Sequence, residues 1–148
     1  LPAARLAVIF EGTGQVFQAR LAKTDDTNDV ALVRAVIRGG APVVRELSDS
    51  LTIGDPVAVV GFPAGLDSLG DWRRNGVEST GSTGTITDLQ PGIVAIEGYG
   101  THGSSGSPVL SRTGAVLAVI SGRSTSGAGD LLAVPAAAVR RLVPPSAP

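Results

Sequence analysis

The residues best suited to covalent chemistry are Gly103-Ser104-Ser105-Gly106-Ser107-Pro108. Acyl transfer needs a hydroxyl on a tight turn, with backbone N–H groups converging where negative charge develops. Glycines on both sides of Ser105 let the backbone fold back far enough for that. The same hexapeptide also reads as an ordinary Gly/Ser turn, and by itself it does not separate the two. A serine hydroxyl is poorly ionised near neutral pH, so a nucleophile here needs a base. His102, the single histidine, sits on the serine's own loop. From there it is badly placed to take the proton and return it to a leaving group, so it reads as a cleft-rim or plain loop residue.

Other chemistries are disfavoured. The chain has no Cys, which removes thiol nucleophiles, disulfides and zinc–thiolate sites. One His among scattered acids offers no metal constellation, and no cofactor is implied. Net charge is −1 without a basic block, which excludes a nucleic-acid surface. Gly12-Thr13-Gly14 is too short for a phosphate loop. Asp25/Asp26 and Arg73/Arg74 read as solvated turns, and Trp72 as either a partner contact or a residue folded back on the core.

The elements that must position Ser105 are short strands. The 148 residues suffice for one compact domain, and hydrophobic residues make up 43% of them but aromatics only 3%, so the core must be aliphatic. Twenty glycines and ten prolines without a period point to many turns. Strands are expected at Arg5–Phe10, Gln15–Leu21, Val30–Ile37 (apolar enough for burial on both faces), Pro56–Gly61, Gly84–Leu89 and Ile93–Glu97. Others follow at Pro108–Leu110, Ala115–Ser121 and Asp130–Val134. Asp67–Ser82 reads as a long surface loop. One helix is expected over Pro135–Val143, with Pro at its first position, three alanines, and Arg140 and Arg141 at its C-terminal end. Ser146-Ala147-Pro148 reads as a tail. The longest apolar runs are too short to span a bilayer. Such a series of strands with one terminal helix predicts an all-β antiparallel barrel or sandwich.

Four ordered segments resemble chymotrypsin-fold serine proteases of the HtrA type. Gly103–Leu110 resembles their Gly-Asn-Ser-Gly-Gly-Pro nucleophile region, with Ser104 and Ser107 in place of Asn and Gly. Asp29-Val30-Ala31-Leu32-Val33 resembles the Asp-x-Ala-Leu-Leu strand. Gly54–Gly65 resembles the Gly-Asp-x-Val-x-x-x-Gly-x-Pro-x-Gly segment, and Leu131–Pro135 the Phe-Ala-Ile-Pro strand. The resemblance implies a double antiparallel β-barrel with its first barrel incomplete and a short C-terminal helix. Residues 1–143 would form the protease domain: 1–38 the remnant of the first barrel, 51–134 the second barrel and 135–143 the helix. Residues 144–148 would be a Pro-rich tail.

By the same resemblance Ser105 is the nucleophile, Asp29 orients the base, and the Gly103 and Ser105 amides form the oxyanion hole. Read alone, Asp29 is a turn residue before a strand, since Asp commonly precedes an apolar run. Ser121-Gly122-Arg123 would pair with a polypeptide substrate, while His102, Leu132 and Ala133 would border the binding cleft. With no acid at the pocket base, small or aliphatic side chains are expected there. No histidine precedes Asp29. The base would then come from a complementing N-terminal segment or a second chain, since Leu1 without an initiator Met reads as a processed or partly represented polypeptide. The competing reading is an inactive pseudoprotease that binds peptides or partners, or serves as a structural subunit. Relatives are often oligomeric and many are periplasmic or secreted, which sets those two expectations.

Overall fold

The computed structural model describes residues 5–12, 15–62, 77–100, 102–125 and 130–145. Three strands form an open antiparallel sheet in the order β1-β2-β3: β1 (Leu6–Ile9), β2 (Val16–Asp25) and β3 (Val30–Ala35). Six more close into a barrel: β4 (Pro56–Gly61), β5 (Thr80–Gln90), β6 (Ile93–Gly98), β7 (Pro108–Leu110), β8 (Val116–Arg123) and β9 (Leu131–Pro135). Their order is β4-β5-β6-β9-β8-β7, closed by β7 on β4 at Ala58↔Leu110 and Val59↔Val109. The helix α1 (Ala136–Leu142) packs against β2, β3, β8 and β9, bridging sheet and barrel. Among the described residues no helix is long and apolar enough to cross a membrane.

The barrel buries the core. Val57, Val59, Ile86, Val94, Ile96, Val109, Leu117, Ala118, Ile120, Leu131 and Ala133 form one cluster, all aliphatic. Alternation puts them inside: Val57 and Val59 are buried while Ala58 and Val60 between and beyond them are not. Two glycines face each other across β5 and β6 at Gly84↔Gly98. A Cβ on Gly84 would lie 2.6 Å from the Glu97 carbonyl oxygen and 2.9 Å from Ile96 Cγ2, so the two strands approach closely only because a side chain is missing.

The sheet is different. No residue of β1, β2 or β3 is fully buried. Leu21 is 52% exposed and its cross-strand partner Val33 42%. The expectation that Val30–Ile37 is buried on both faces is therefore corrected. An apolar composition suits such a strand, but burial needs a second layer, and the described residues supply only α1. β5 also begins earlier than expected, at Thr80, which shortens the loop read over Asp67–Ser82. Thr13, Gly14, Pro63–Gly65, Trp72, Arg73, Arg74 and the tail Ser146–Pro148 lie outside the described residues.

Three tethers hold sheet and barrel together. The connection between them runs along β8, with Val116 N–H donating to Glu46 O at 2.9 Å and Ser48 N–H to Val116 O at 2.9 Å. Arg140 of α1 grips the same connection, donating to both Asp49 carboxylate oxygens at 3.1 and 2.9 Å and to Leu47 O at 3.0 Å. At the β1–β2 hairpin, the Glu11 carboxylate accepts from Ser79 N–H at 3.0 Å and Ser79 Oγ at 2.7 Å.

Replacing Gly84 with Ala should destabilise the protein by about 1–3 kcal/mol, because a backbone carbonyl cannot give way as a flexible side chain would. The shift of the urea midpoint at constant slope measures it. An unchanged midpoint would contradict the close β5–β6 approach.

Candidate active site

Ser105 sits on the loop between β6 and β7, immediately after a 3₁₀ turn over His102–Ser104. Gly106 takes φ +88°, a conformation that costs a side chain dearly, so the residue after Ser105 is glycine for a backbone reason. Two bonds then lock the turn onto β8: Gly106 N–H donates to Ile120 O at 2.7 Å, and Ile120 N–H to Ser107 O at 2.9 Å. Ser107 N–H donates to Ser104 O at 3.0 Å. Ser104 and Ser107 are buried while Ser105 is exposed, so the middle serine is the one presented. Its Oγ donates to Ser121 O over a long 3.4 Å. Ser107, at a position where the family pattern has Gly, is accommodated by Gly61 on β4, where any Cβ would collide with Ser107 Oγ.

Asp29 is presented by the β2–β3 turn. The Asp25 carboxylate accepts from Thr27 N–H and Asn28 N–H, both at 3.1 Å, and from Asn28 Nδ2 at 2.7 Å. This side-chain-to-backbone cap curls the turn and brings Asp29 into the left-handed region at φ +53°, where Asp is one of the few tolerated side chains. The hydrogen bonds from Asn28, with the Arg141 charge as a lesser cause, hold the Asp25 pKa below its ordinary 3.8.

The structure brings Asp29 and Ser105 together. Both line a groove of about 530 Å³ between β3, α1 and the nucleophile turn, otherwise walled mainly by Val30, Leu32, Val119, Ile120, Val139 and Leu142. The two polar groups thus face one largely apolar space. Ser105 also borders a second cavity of about 520 Å³ with Gly100, Ile120, Ser121, Gly122, Arg123, Ser124, Thr125 and Leu131. Of the stretch Leu131–Ala133 expected to bound the pocket, Leu131 lines this cavity, and Leu132 and Ala133 do not. Ala133 turns into the barrel core, and Leu132 offers its carbonyl to Ser121 Oγ at 3.3 Å. Strand alternation shows which residues share a face but not which face meets a loop, so the sequence does not separate Leu131 from its two neighbours.

β8 outruns β7. Their pairing ends at Pro108↔Val119, whereas β8 continues to Arg123, so Ser121–Arg123 meet β9 on one side and no described strand on the other. That leaves an edge for an extended peptide. Gly103 is half-buried in the 3₁₀ turn, so its amide and that of Ser105 belong to one tight stretch of backbone. His102 lies in the same turn, and its side chain is outside the described part. Among the described residues no cluster of His, Asp and Glu could hold a metal.

A mainly aliphatic barrel presenting a serine on a glycine-supported turn, with an aspartate across an adjoining groove, is the arrangement of a trypsin-like peptidase. The sequence matches the family described as trypsin-like peptidase domain over residues 3–119, and the chain belongs to that family. The fold is similar to the crystal structure of the serine endoprotease from Yersinia pestis, with a TM-score of 0.74 and 20% identity. That similarity covers 95% of this chain and 47% of the Yersinia chain, so the present chain spans about half the length of its structural relative. No curated protein matches the chain.

Two outcomes test this geometry. Because the Asp25 pKa is depressed, its cap stabilises the fold above the ordinary aspartate value of 3.8 and is lost as pH falls through the lower folded value. Hydrogen exchange at Thr27 and Asn28 should rise in that acid range before the barrel amides respond; simultaneous loss of both would contradict a local cap. Separately, Gly61→Ala should displace Ser107 and cost about 1–3 kcal/mol, and adding Ser107→Gly should restore most of it. Additive losses in the double variant would show that the two sites do not touch.

Proposed function

We propose that this chain is the nucleophile-bearing part of a serine endopeptidase, with the histidine base supplied by a segment outside these residues. The observation that carries the reading is that Asp29 and Ser105 line one groove, mainly apolar and large enough for an imidazole between them. In that arrangement Ser105 Oγ bonds to the scissile carbonyl carbon as the imidazole takes its proton. Asp29 holds the imidazole's orientation and its positive charge, and the Gly103 and Ser105 amides receive the oxyanion. The proton then passes to the leaving amine as the C–N bond breaks, and water releases the acyl group by the same route in reverse. The substrate lies along Ser121–Arg123 as an added strand.

The open sheet supports a complementing segment. β1 and β3 are unpaired edges in the described structure, and Leu21 and Val33 are exposed on a sheet with no fully buried residue. Such edges invite added strands. A covalent N-terminal extension or a second chain would cover this face and carry the imidazole into the groove. The resemblance to HtrA-type enzymes sets the expected location as periplasmic or secreted.

One observation favours a second reading, an inactive peptide- or partner-binding module. The Ser105 hydroxyl already has an acceptor, the Ser121 carbonyl, which is no base. A fluorophosphonate probe on the full-length native protein separates the two. Labelling at Ser105, abolished by Ser105→Ala and slowed about 10⁴-fold by Asp29→Asn, is the expected result. Absence of labelling in the complete protein would leave the binding module standing.

A further inference from the structure

The cavity beside Ser105 has a cation on its wall. Arg123, at the end of β8, donates from Nη2 to Gly100 O at 2.8 Å, so the guanidinium reaches from the substrate edge to the loop ahead of the nucleophile. Gly100 packs closely on Leu131, since a Cβ there would lie 2.6 Å from Leu131 Cδ2. That bond uses one of five N–H donors in a rigid planar fork. No carboxylate pairs with Arg123 among the described residues. Asp130, next to Arg123's cross-strand partner Leu131, accepts instead from Thr87 Oγ1 at 3.0 Å. The only described ion pair, Arg140 with Asp49, belongs to the helix and the connection.

We propose that Arg123 makes this cavity a receptor for an acidic side chain, so that the polypeptide places a glutamate or aspartate immediately before the bond at Ser105. The proposal rests on reading Ser121–Arg123 as the substrate edge. The methylenes of such a side chain cover Ile120 and Leu131, which form the apolar part of the cavity, and its carboxylate meets the guanidinium. Because the Gly100 carbonyl already holds the guanidinium, little side-chain entropy is lost when the carboxylate binds. The aliphatic preference expected from the sequence rests on Leu132, Ala133 and the lack of an acid at the pocket base; the first two do not line the cavity, and the cation at its wall argues the reverse.

The test is binding, which needs no chemistry. Full-length protein carrying Ser105→Ala is titrated with amidated peptides identical except for Glu, Gln, Ala or Val at the position before the scissile bond; amidation leaves the side chain as the variable carboxylate. The Glu peptide should bind about three- to tenfold tighter than the Gln peptide, the range of a partly exposed ion pair, and less so at high salt. In Arg123→Gln the two should agree within about twofold, and Arg123→Lys should keep part of the difference. Equal or tighter binding of Gln, Ala or Val, a Glu preference that survives Arg123→Gln, or no binding at all would overturn the proposal. Fluorophosphonate labelling of Ser105 in the native protein reports separately on hydrolysis. Labelling without Glu preference would therefore sink this specificity alone, and Glu preference without labelling would sink catalysis alone.

Discussion

The pair of backbone hydrogen bonds between the serine turn and Ile120 is what the rest of the site depends on. Gly106 donates to the Ile120 carbonyl and Ile120 donates to the Ser107 carbonyl, so the turn is stitched to β8 on both sides of one residue. Ile120 is itself 2% exposed and part of the barrel core. The exposed hydroxyl of Ser105 is therefore held by backbone anchored in the barrel core. Gly61 lets buried Ser107 pack beneath it, and the same strand β8 runs on to offer its edge at Ser121–Arg123. The serine turn, the open edge and the cavity beside Ser105 all rest on one strand.

The opposite wall of the groove is built on other terms. Asp29 belongs to a sheet with no fully buried side chain, and its position relies on the Asp25 cap, on α1 and on the tethers through Glu11 and Arg140. Exposed ion pairs such as Arg140 with Asp49 contribute little each, on the order of 0–1 kcal/mol. The registry of Asp29 against Ser105 is thus the least strongly enforced part of the site. A segment that filled the groove and covered the sheet would tighten it.

Local chemistry made much of this legible in the sequence. Pro56–Gly61 and Pro108–Leu110 are strands with the bounds that their turn residues announce. The helix starts one residue later than read, because Pro135 holds an extended ψ of 149° and serves as its cap. Motif resemblance singled out Ser105 and Asp29, but not the groove they share, which arises from segments remote in sequence. The first half of β5 was not readable. Thr80, Gly81, Ser82 and Thr83 have turn composition, yet pair residue for residue with Gly61 to Ala58 because barrel closure overrides propensity. Arg123 was placed at the substrate edge, but its reach to the Gly100 carbonyl depends on a loop whose path no periodicity records.

The tethers also bear on the order in which the molecule assembles. The Glu11–Ser79 clasp joins residues 68 apart in the chain, and Arg140 reaches Asp49 across 91. Contacts between such distant positions are slow to form, since loop-closure entropy is spent before they reward it. The aliphatic cluster that could repay that cost lies wholly in the barrel. Folding that nucleates there completes the serine turn first and docks the aspartate's sheet last, so the groove that Ser105 and Asp29 share closes only at the end.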